Sequence, residues 1–220
     1  LTALAIDNGF RIVIYFAGIK NNLLEQTTKR LKKDLLTESD NSRYFKVYQS
    51  PSVKTNGHND IKGALKLNRK PAILITVLKH TKHISELTEI FKTIEVRQAL
   101  GNNGVLIIDD EADQASLNTY ARKNSKSEDW EDDEFSSTYS SILDLRASLP
   151  NHSYIQYTAT PQAAFLIDNN DILSPKYHTV LTPGKGYTGG KYFFKNTECN
   201  LLSIIPDEEI YHYSRNPLTE

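Results

Sequence analysis

The sequence Val105-Leu-Ile-Ile-Asp-Asp-Glu-Ala-Asp113 joins four apolar residues directly to a segment with four carboxylates. A short run of branched apolar residues is typical of a strand that is buried on both faces. In open parallel sheets, functional sites lie outside the carboxyl ends of the strands. The stretch therefore predicts a central strand of an α/β fold, with a polar site immediately after it.

Outward from this stretch, apolar strands alternate with amphipathic helices. The predicted strands cover residues 12–17, 45–48, 72–78, 105–108 and 153–158. The predicted helices cover residues 22–36, 60–67, 84–100 and 138–149. This alternation requires crossover connections, which give a mostly parallel sheet with helices on both faces. We expect a three-layer α/β/α domain over residues 1–174, followed by an irregular extension rich in Gly and Tyr over residues 175–220.

The composition excludes several classes of protein. The chain has 220 residues, with 26 Lys and Arg against 27 Asp and Glu, so it is not a polycation that binds nucleic acid over its whole surface. A basic face on part of the surface remains compatible with this balance. The single cysteine, Cys199, excludes an internal disulfide framework and favours a cytoplasmic location. The longest apolar run, 72–78, is too short to span a membrane.

The acidic segment after residue 108 has two readings. Its carboxylates would repel one another unless a divalent cation or hydrogen bonds from neighbouring loops relieved the repulsion. Mg²⁺ is commonly bound by one or two carboxylates together with waters and substrate phosphates. Alternatively, the acids mark the start of a helix, where the helix dipole favours negative charge. The segment alone leaves both readings open.

A second polar segment, Thr158-Ala-Thr160, follows the next predicted strand. The carboxyl ends of parallel strands meet at one edge of a sheet. We therefore expect Asp110, Glu111 and Thr158 to lie in one cleft, on neighbouring strands.

These two segments resemble known motifs. Asp110-Glu-Ala-Asp113 resembles the second motif of superfamily-two helicases, and Thr158-Ala-Thr160 resembles their Ser/Thr-Ala-Thr motif. Residues 19–26 occupy the place of motif Ia in those proteins. Longer strings are similar to the Z-one domain family, which is described as a family of endonucleases. These strings cover residues 16–31, 108–119 and 154–164 and, more loosely, 183–190.

The resemblance implies the first RecA-like lobe of an ATP-driven motor of the restriction or defence type. Its cofactors would be Mg²⁺ and ATP, and its partners DNA and a second motor lobe. Asp110 would hold Mg²⁺ through water, and Glu111 would be the base for the attacking water. Asp113 would hydrogen-bond to Thr158 or Thr160 and couple nucleotide state to domain closure. The residues implied in contact with the nucleic-acid backbone are Lys20, Gln26, Thr27, Arg30 and Lys79.

The sequence departs from that family in two respects that bear on activity, since both the phosphate-binding loop and the second motor lobe with its arginine finger are missing. No Gly-x-x-x-x-Gly-Lys-Ser/Thr loop is present, and residues 184–191 do not have its spacing. The opening residues 1–9 read as the end of a helix, so we expect a fragment whose phosphate-binding loop precedes Leu1. We also expect these 220 residues alone not to hydrolyse ATP.

Two other classes of function remain open. The first is a metal-dependent phosphodiesterase or endonuclease that uses Asp109, Asp110 and Asp113 directly. The second is a non-catalytic interaction domain, for which the acidic loop 125–134 with Trp130 would be a candidate docking segment. That loop is equally well explained as a solvated surface. His80 and His83 lack further ligands nearby in the sequence and are interpreted as surface histidines.

Overall fold

The computed structural model of the chain describes residues 1–35, 44–114, 137–160 and 172–195. The chain forms two compact units, Leu1–Lys176 and Tyr177–Glu220. The acidic loop 125–134 and Cys199 lie outside the described residues.

The first unit contains the strands and all but one of the described helices. The strands are β1 (Phe10–Ala17), β2 (Phe45–Gln49), β3 (Ala72–Val77), β4 (Gly104–Asp110) and β5 (His152–Gln156). The helices are α1 (Thr2–Asp7), α2 (Asn21–Leu35), α3 (Gly57–Lys66), α4 (Thr81–Lys92), α5 (Ile94–Leu100) and α6 (Ser137–Ser148). In the second unit, the described residues form one helix, α7 (Gly190–Lys195).

The five strands form one sheet in the order β2-β3-β1-β4-β5, and every neighbouring pair is parallel. Helices cover both faces, which confirms the predicted three-layer α/β/α fold. Strand β4, which leads into the acidic segment, lies between β1 and β5. Its carboxyl end is therefore flanked by two other strand ends, where side chains from several segments can meet.

Alternation along the strands divides the core into two layers. Side chains that alternate along a strand point to opposite faces of the sheet. One face carries Ile12, Ile14 and Phe16 of β1, and it packs against residues of α3, α4, α5 and α6. The other face carries Val13 and packs against Ala5 of α1 and Leu35 of α2. β3 is buried along its whole length, as expected for a strand covered on both sides.

Helix α2 begins at the carboxyl edge of β1 because the intervening turn is tight. Gly18 has a φ of +70°, and a Cβ there would lie 2.8 Å from Leu23 Cδ1. A side chain at this position would displace Leu23, so glycine allows α2 to start directly beside the strand end. Within the helix, Thr28 Oγ1 donates to the Leu24 carbonyl at 2.8 Å and lies 2.8 Å from Thr76 Oγ1 of β3. These contacts fix α2 against the sheet.

The single helix predicted over residues 84–100 is instead two helices. Thr93 separates α4 from α5 with extended backbone angles, φ −63° and ψ 135°. Its hydroxyl donates to the Ile90 carbonyl at 2.7 Å and so satisfies a group left open at the end of α4. Apolar residues continue on both sides of the break, and Val96 is fully buried. The prediction was wrong because the apolar pattern runs through the break.

Candidate functional site at the carboxyl edge of the sheet

Strands β4 and β5 bring the acidic segment and the Thr-Ala-Thr segment together. Their register pairs Asp109 with Gln156. Past that pair, the Tyr157 N–H donates to the Asp109 carbonyl at 2.8 Å, and the Ala112 N–H donates to the Tyr157 carbonyl at 2.9 Å. The two predicted motifs therefore lie side by side at the carboxyl edge, on neighbouring strands, as expected.

The carboxylate of Asp113 joins the two segments. Thr158 Oγ1 donates to Asp113 Oδ1 at 2.8 Å, and Thr160 Oγ1 donates to Asp113 Oδ2 at 2.7 Å. The hydrogen bonds from Thr160 and Thr158 stabilise the ionised form and hold the pKa of Asp113 below its usual range. The Thr160 N–H also donates to Thr158 Oγ1 at 2.9 Å, which fixes the donor geometry. The predicted hydrogen bond is present to both threonines rather than to one.

The first acid of the cluster is not available to a ligand. Asp109 is fully buried, and its Oδ1 lies 2.6 Å from Lys79 Nζ. Its other oxygen, Oδ2, accepts a hydrogen bond from the Tyr154 hydroxyl at 2.5 Å. A buried carboxylate is costly unless it is paired and hydrogen-bonded, and both conditions hold here. Part of the expected repulsion among the four acids is therefore relieved by a protein ammonium group.

Lys79 also holds the backbone of the acidic loop. Besides Asp109, its Nζ contacts the carbonyls of Asp110 at 2.5 Å, Glu111 at 2.8 Å and Gln114 at 3.2 Å. Its side chain is 0% exposed. The prediction that Lys79 contacts a nucleic-acid backbone is therefore wrong, because the ammonium group is enclosed by protein oxygens. It acts instead as a fixed internal cation for the loop after β4.

Tyr154 extends this buried network across β5. Burial, together with the neighbouring Asp109 carboxylate, raises the pKa of Tyr154 well above its usual value. The guanidinium carbon of Arg146 lies 5.0 Å from the centre of the Tyr154 ring, within cation–π range. Arg146 Nε donates to His152 Nε2 at 3.1 Å. Sequence reasoning missed both Tyr154 and Arg146, although a hydroxyl on the strand beside an acidic strand end is a usable signal.

The two remaining acids face the open edge. Asp110 is exposed, and its Oδ1 accepts a hydrogen bond from the Glu111 N–H at 3.1 Å. Glu111 is half-buried and has a φ of +52°, in the left-handed region. This conformation destabilises a residue with a Cβ by roughly 1–2 kcal/mol. Strain of this kind clusters at functional sites, where the surrounding structure enforces it.

This division among the acids limits the metal chemistry that the site can support. Within the residues that the structure describes, no group of three or more His, Cys, Asp or Glu side chains is arranged to hold a metal ion. Asp109 and Asp113 are occupied by protein donors, which leaves Asp110 as the exposed candidate. One carboxylate fits Mg²⁺ that takes its other ligands from water and substrate phosphates. It does not fit a site in which three carboxylates bind the metal directly.

The other residues implied in nucleic-acid contact lie on or next to α2. Lys20, Gln26 and Arg30 are exposed, and Thr27 is half-buried. Gln26 and Arg30 are four residues apart and share one helix face. Because α2 begins at the carboxyl end of β1, this face starts at the same edge of the sheet as the acidic cluster. These four residues remain candidates for contact with a phosphate backbone.

The two histidines have structural surroundings. The side chain of His80 accepts a hydrogen bond from the Lys82 N–H and so caps the start of α4. His83 is half-buried, with its Nδ1 3.9 Å from a carboxylate oxygen of Glu86. The exposed His80 fits the interpretation as a surface histidine, whereas His83 is only partly exposed.

Comparison of the chain with models of known families, with curated proteins and with solved structures gave no match. Every helix in the described parts of the chain is too short or too polar to cross a bilayer.

Proposed function

We propose that this chain forms part of a RecA-like motor lobe that hydrolyses ATP to drive movement on, or remodelling of, DNA. The observation that supports this proposal best is the pair of hydrogen bonds from Thr158 and Thr160 to Asp113. They connect the acidic loop after β4 to the loop after β5. Through these bonds, a change at the acidic loop would be transmitted to the neighbouring strand end.

The four acids suit this function because they are not equivalent. Lys79 pairs with the charge of Asp109, and the Tyr154 hydroxyl donates a hydrogen bond to it. The carboxylate of Asp113 accepts hydrogen bonds from two threonine hydroxyls. Asp110 and Glu111 are left at the edge where a substrate can reach them. Asp110 would hold Mg²⁺ beside the phosphates of ATP. Glu111 would accept the proton of the water that attacks the γ-phosphate.

The geometry of α2 supports the nucleic-acid part of the proposal. Its exposed Gln26 and Arg30, with Lys20 just before the helix, begin at the edge of the sheet that carries the acids. Side chains of these types commonly contact phosphate oxygens and position a protein on a nucleic acid without reading its sequence. Movement of the β4 and β5 loops would then occur next to a bound backbone.

The proposal assigns the main phosphate contacts to residues outside these 220. In P-loop enzymes, backbone N–H groups and a lysine of the Gly-x-x-x-x-Gly-Lys-Ser/Thr loop cradle the phosphates. That motif is absent from the sequence. A second lobe of the same full-length protein would complete the site from the other side.

The phosphodiesterase alternative has less support. It requires Asp109, Asp110 and Asp113 to act together on a metal ion. Asp109 is buried against Lys79, and both oxygens of Asp113 accept hydrogen bonds from threonines. Freeing them would break a buried ion pair and the contact between the two loops.

The deciding experiment uses the full-length protein that contains this chain. Glu111→Gln keeps the shape of the side chain but removes the base, so ATP hydrolysis should fall by about 10²–10⁴-fold while ATP binding persists. Glu89→Gln, on the exposed side of α4, is the matched control and should hydrolyse ATP at the wild-type rate. A Glu111→Gln protein that hydrolyses ATP as fast as the wild type would contradict the proposal.

A further inference from the structure

The described part of the second unit has a composition unlike that of the rest of the chain. Residues 177–195 contain five aromatic residues and three lysines, and they contain no Asp or Glu. The chain as a whole has slightly more acids than bases. This segment is therefore a local concentration of positive charge and aromatic rings.

The aromatic rings of this segment are exposed to solvent. Tyr177 is 91% exposed, Tyr187 70% and Phe194 67%, whereas Phe16 and Phe91 of the first unit are fully buried. The other two rings, Tyr192 and Phe193, are 47% and 40% exposed. Single exposed apolar residues are ordinary, but five exposed rings within one short segment make it a candidate interaction surface.

The ring of Tyr187 packs against Gly189 on one side. A Cβ on Gly189 would lie 2.5 Å from Tyr187 Cε1 and 3.2 Å from its hydroxyl oxygen, so the ring rests directly on this glycine. The Tyr187 N–H donates to the Gly184 carbonyl at 3.0 Å, which closes a turn. The ring is therefore supported from one side and accessible from the other. This is the arrangement that a stacking partner requires.

We propose that residues 177–195 bind single-stranded nucleic acid, with bases stacked on the exposed rings and phosphates close to the lysines. Every nucleobase has a flat π face, so stacking on aromatic side chains tolerates any sequence. Lys185 and Lys195 are exposed and lie within two residues of Tyr187 and Phe194 in the sequence, and the segment contains no acid to oppose a phosphate. A purely apolar protein partner would gain nothing from this charge. The inference needs no ATP and stands independently of the motor proposal.

The test measures fluorescence anisotropy of a labelled oligothymidine of roughly 20 nucleotides, a length that covers one such binding site. The whole 220-residue chain is titrated without nucleotide. Tyr187→Ala should weaken binding about tenfold, a typical loss for one stacked base. Tyr187→Phe keeps the ring and should bind as the wild type does. Val180→Ala is the matched control, since Val180 is 78% exposed in the same segment but has no ring.

Two further measurements separate stacking from simple charge attraction. Lys185→Gln should lower the slope of log K against log salt by about 0.7, the value for one phosphate contact on a single strand. A duplex of matched length should bind at least about tenfold more weakly, because its bases are already stacked on each other and cannot stack on the rings.

Several outcomes would overturn the inference. One is the absence of oligonucleotide binding by a chain that circular dichroism shows to be folded. Another is an equal loss for Val180→Ala and Tyr187→Ala, which would indicate a general apolar surface. A third is tighter binding to phosphatidylcholine vesicles than to the oligonucleotide, which would indicate a membrane surface. None of these results would affect the Glu111 experiment, so the two proposals fail separately.

Discussion

Lys79 Nζ lies 2.6 Å from Asp109 Oδ1, and neither side chain has any exposure to solvent. Lys79 follows β3, and Asp109 lies at the end of β4. These two strands are not neighbours, since β1 lies between them. The pair therefore ties the two sides of the central strand together at the edge that carries the candidate site. The ammonium group also contacts three carbonyls of the acidic loop. Stability and loop geometry consequently depend on the same cation.

Removal of the Lys79 ammonium group should strongly destabilise the folded chain. Lys79→Met keeps the length of the side chain but leaves the Asp109 carboxylate buried without a counter-charge. Breaking one partner of a buried pair typically costs about 3–5 kcal/mol. We expect a loss of this size in the free energy of unfolding, measured by urea denaturation of the 220-residue chain.

The control for this prediction is Lys82→Met, which removes an exposed lysine three positions later. It should change the free energy of unfolding by less than about 0.5 kcal/mol. The double variant Lys79→Met with Asp109→Leu removes both charges and should recover part of the loss. If Lys79→Met were as stable as the wild type, the buried ion pair would not be present in solution.

Tyr154 should contribute through its hydroxyl rather than its ring. Tyr154→Phe leaves Asp109 Oδ2 without its donor while the packing is preserved. An unsatisfied buried acceptor costs about 1–3 kcal/mol. Urea denaturation should show a loss in this range for Tyr154→Phe. Tyr157→Phe, on an exposed residue of the same segment, should show almost none. Equal stability of the two variants would contradict the Tyr154 to Asp109 hydrogen bond.

The sequence predicted the fold better than it predicted the roles of individual residues. The spacing of apolar residues and the crossover rules were enough to place all five strands. The pattern is clearest in β1, β3 and β4, which are mostly buried, whereas the edge strands β2 and β5 are half-buried. The same approach joined α4 to α5, since the apolar residues continue past Thr93 and the break is set by local backbone geometry. Parallel topology was enough to place the acidic and threonine segments at the same edge of the sheet, and the observed strand order makes their strands neighbours.

The role of Lys79 was beyond that kind of reasoning. Lysine is usually exposed, so a lysine after a strand is read as a surface group. Its partner, Asp109, ends a strand that is neither adjacent in sequence nor adjacent in the sheet. Only the packed structure shows that the side chain crosses the end of β1 to reach it. The hydrogen bond from the half-buried Tyr154 to Asp109 depends on the same packing.

The hydrogen bonds to Asp113 should be visible in its titration. Because they favour the ionised carboxylate, Thr160→Val should raise the pKa of Asp113 toward the usual value of about 3.9. Carbon-detected NMR of the aspartate carboxyl groups would measure this. Thr55→Val, at an exposed threonine of the first unit that contacts Ser52, should leave the titration of Asp113 unchanged. An unchanged Asp113 titration in Thr160→Val would contradict the hydrogen bond.

The same shift sets the sign of a stability effect. A carboxyl whose pKa is lowered by folding stabilises the fold above its unfolded pKa and loses that contribution as pH falls through the folded value. Wild type should therefore exceed Thr160→Val in stability near neutral pH. The difference should shrink as the pH falls below about 4, the ordinary aspartate pKa. A difference that grew with acid would contradict the assignment.

Nucleotide binding by the 220-residue chain should be weak. Exposed carboxylates repel a triphosphate, and the loop that normally cradles it is absent. We expect calorimetry with Mg·ATP to give a Kd of about 1 mM or weaker, equivalent to about −4 kcal/mol at best. Asp110→Asn should not weaken binding further, because the phosphates dominate the metal coordination. Micromolar affinity would mean that another segment of this chain supplies a phosphate site.

The backbone at Glu111 lies in the left-handed region, which strains a residue with a side chain. At a φ of +52°, glycine avoids the Cβ penalty that alanine and glutamate pay. Glu111→Gly should therefore be more stable to urea than Glu111→Ala by about 1 kcal/mol. The comparison uses two variants that both lack the carboxylate, so lost charge contributes equally to each.

The matched position is the exposed Glu89 within α4, where alanine should be more stable than glycine. There Glu89→Gly should be less stable than Glu89→Ala by about 1 kcal/mol, because glycine is a poor helix residue. Opposite signs at the two positions would show that the backbone at Glu111 is left-handed in solution. The same sign at both would show that it is not. With opposite signs, Glu111→Gly would gain backbone stability and lose the base, as expected where a site retains strain for its chemistry.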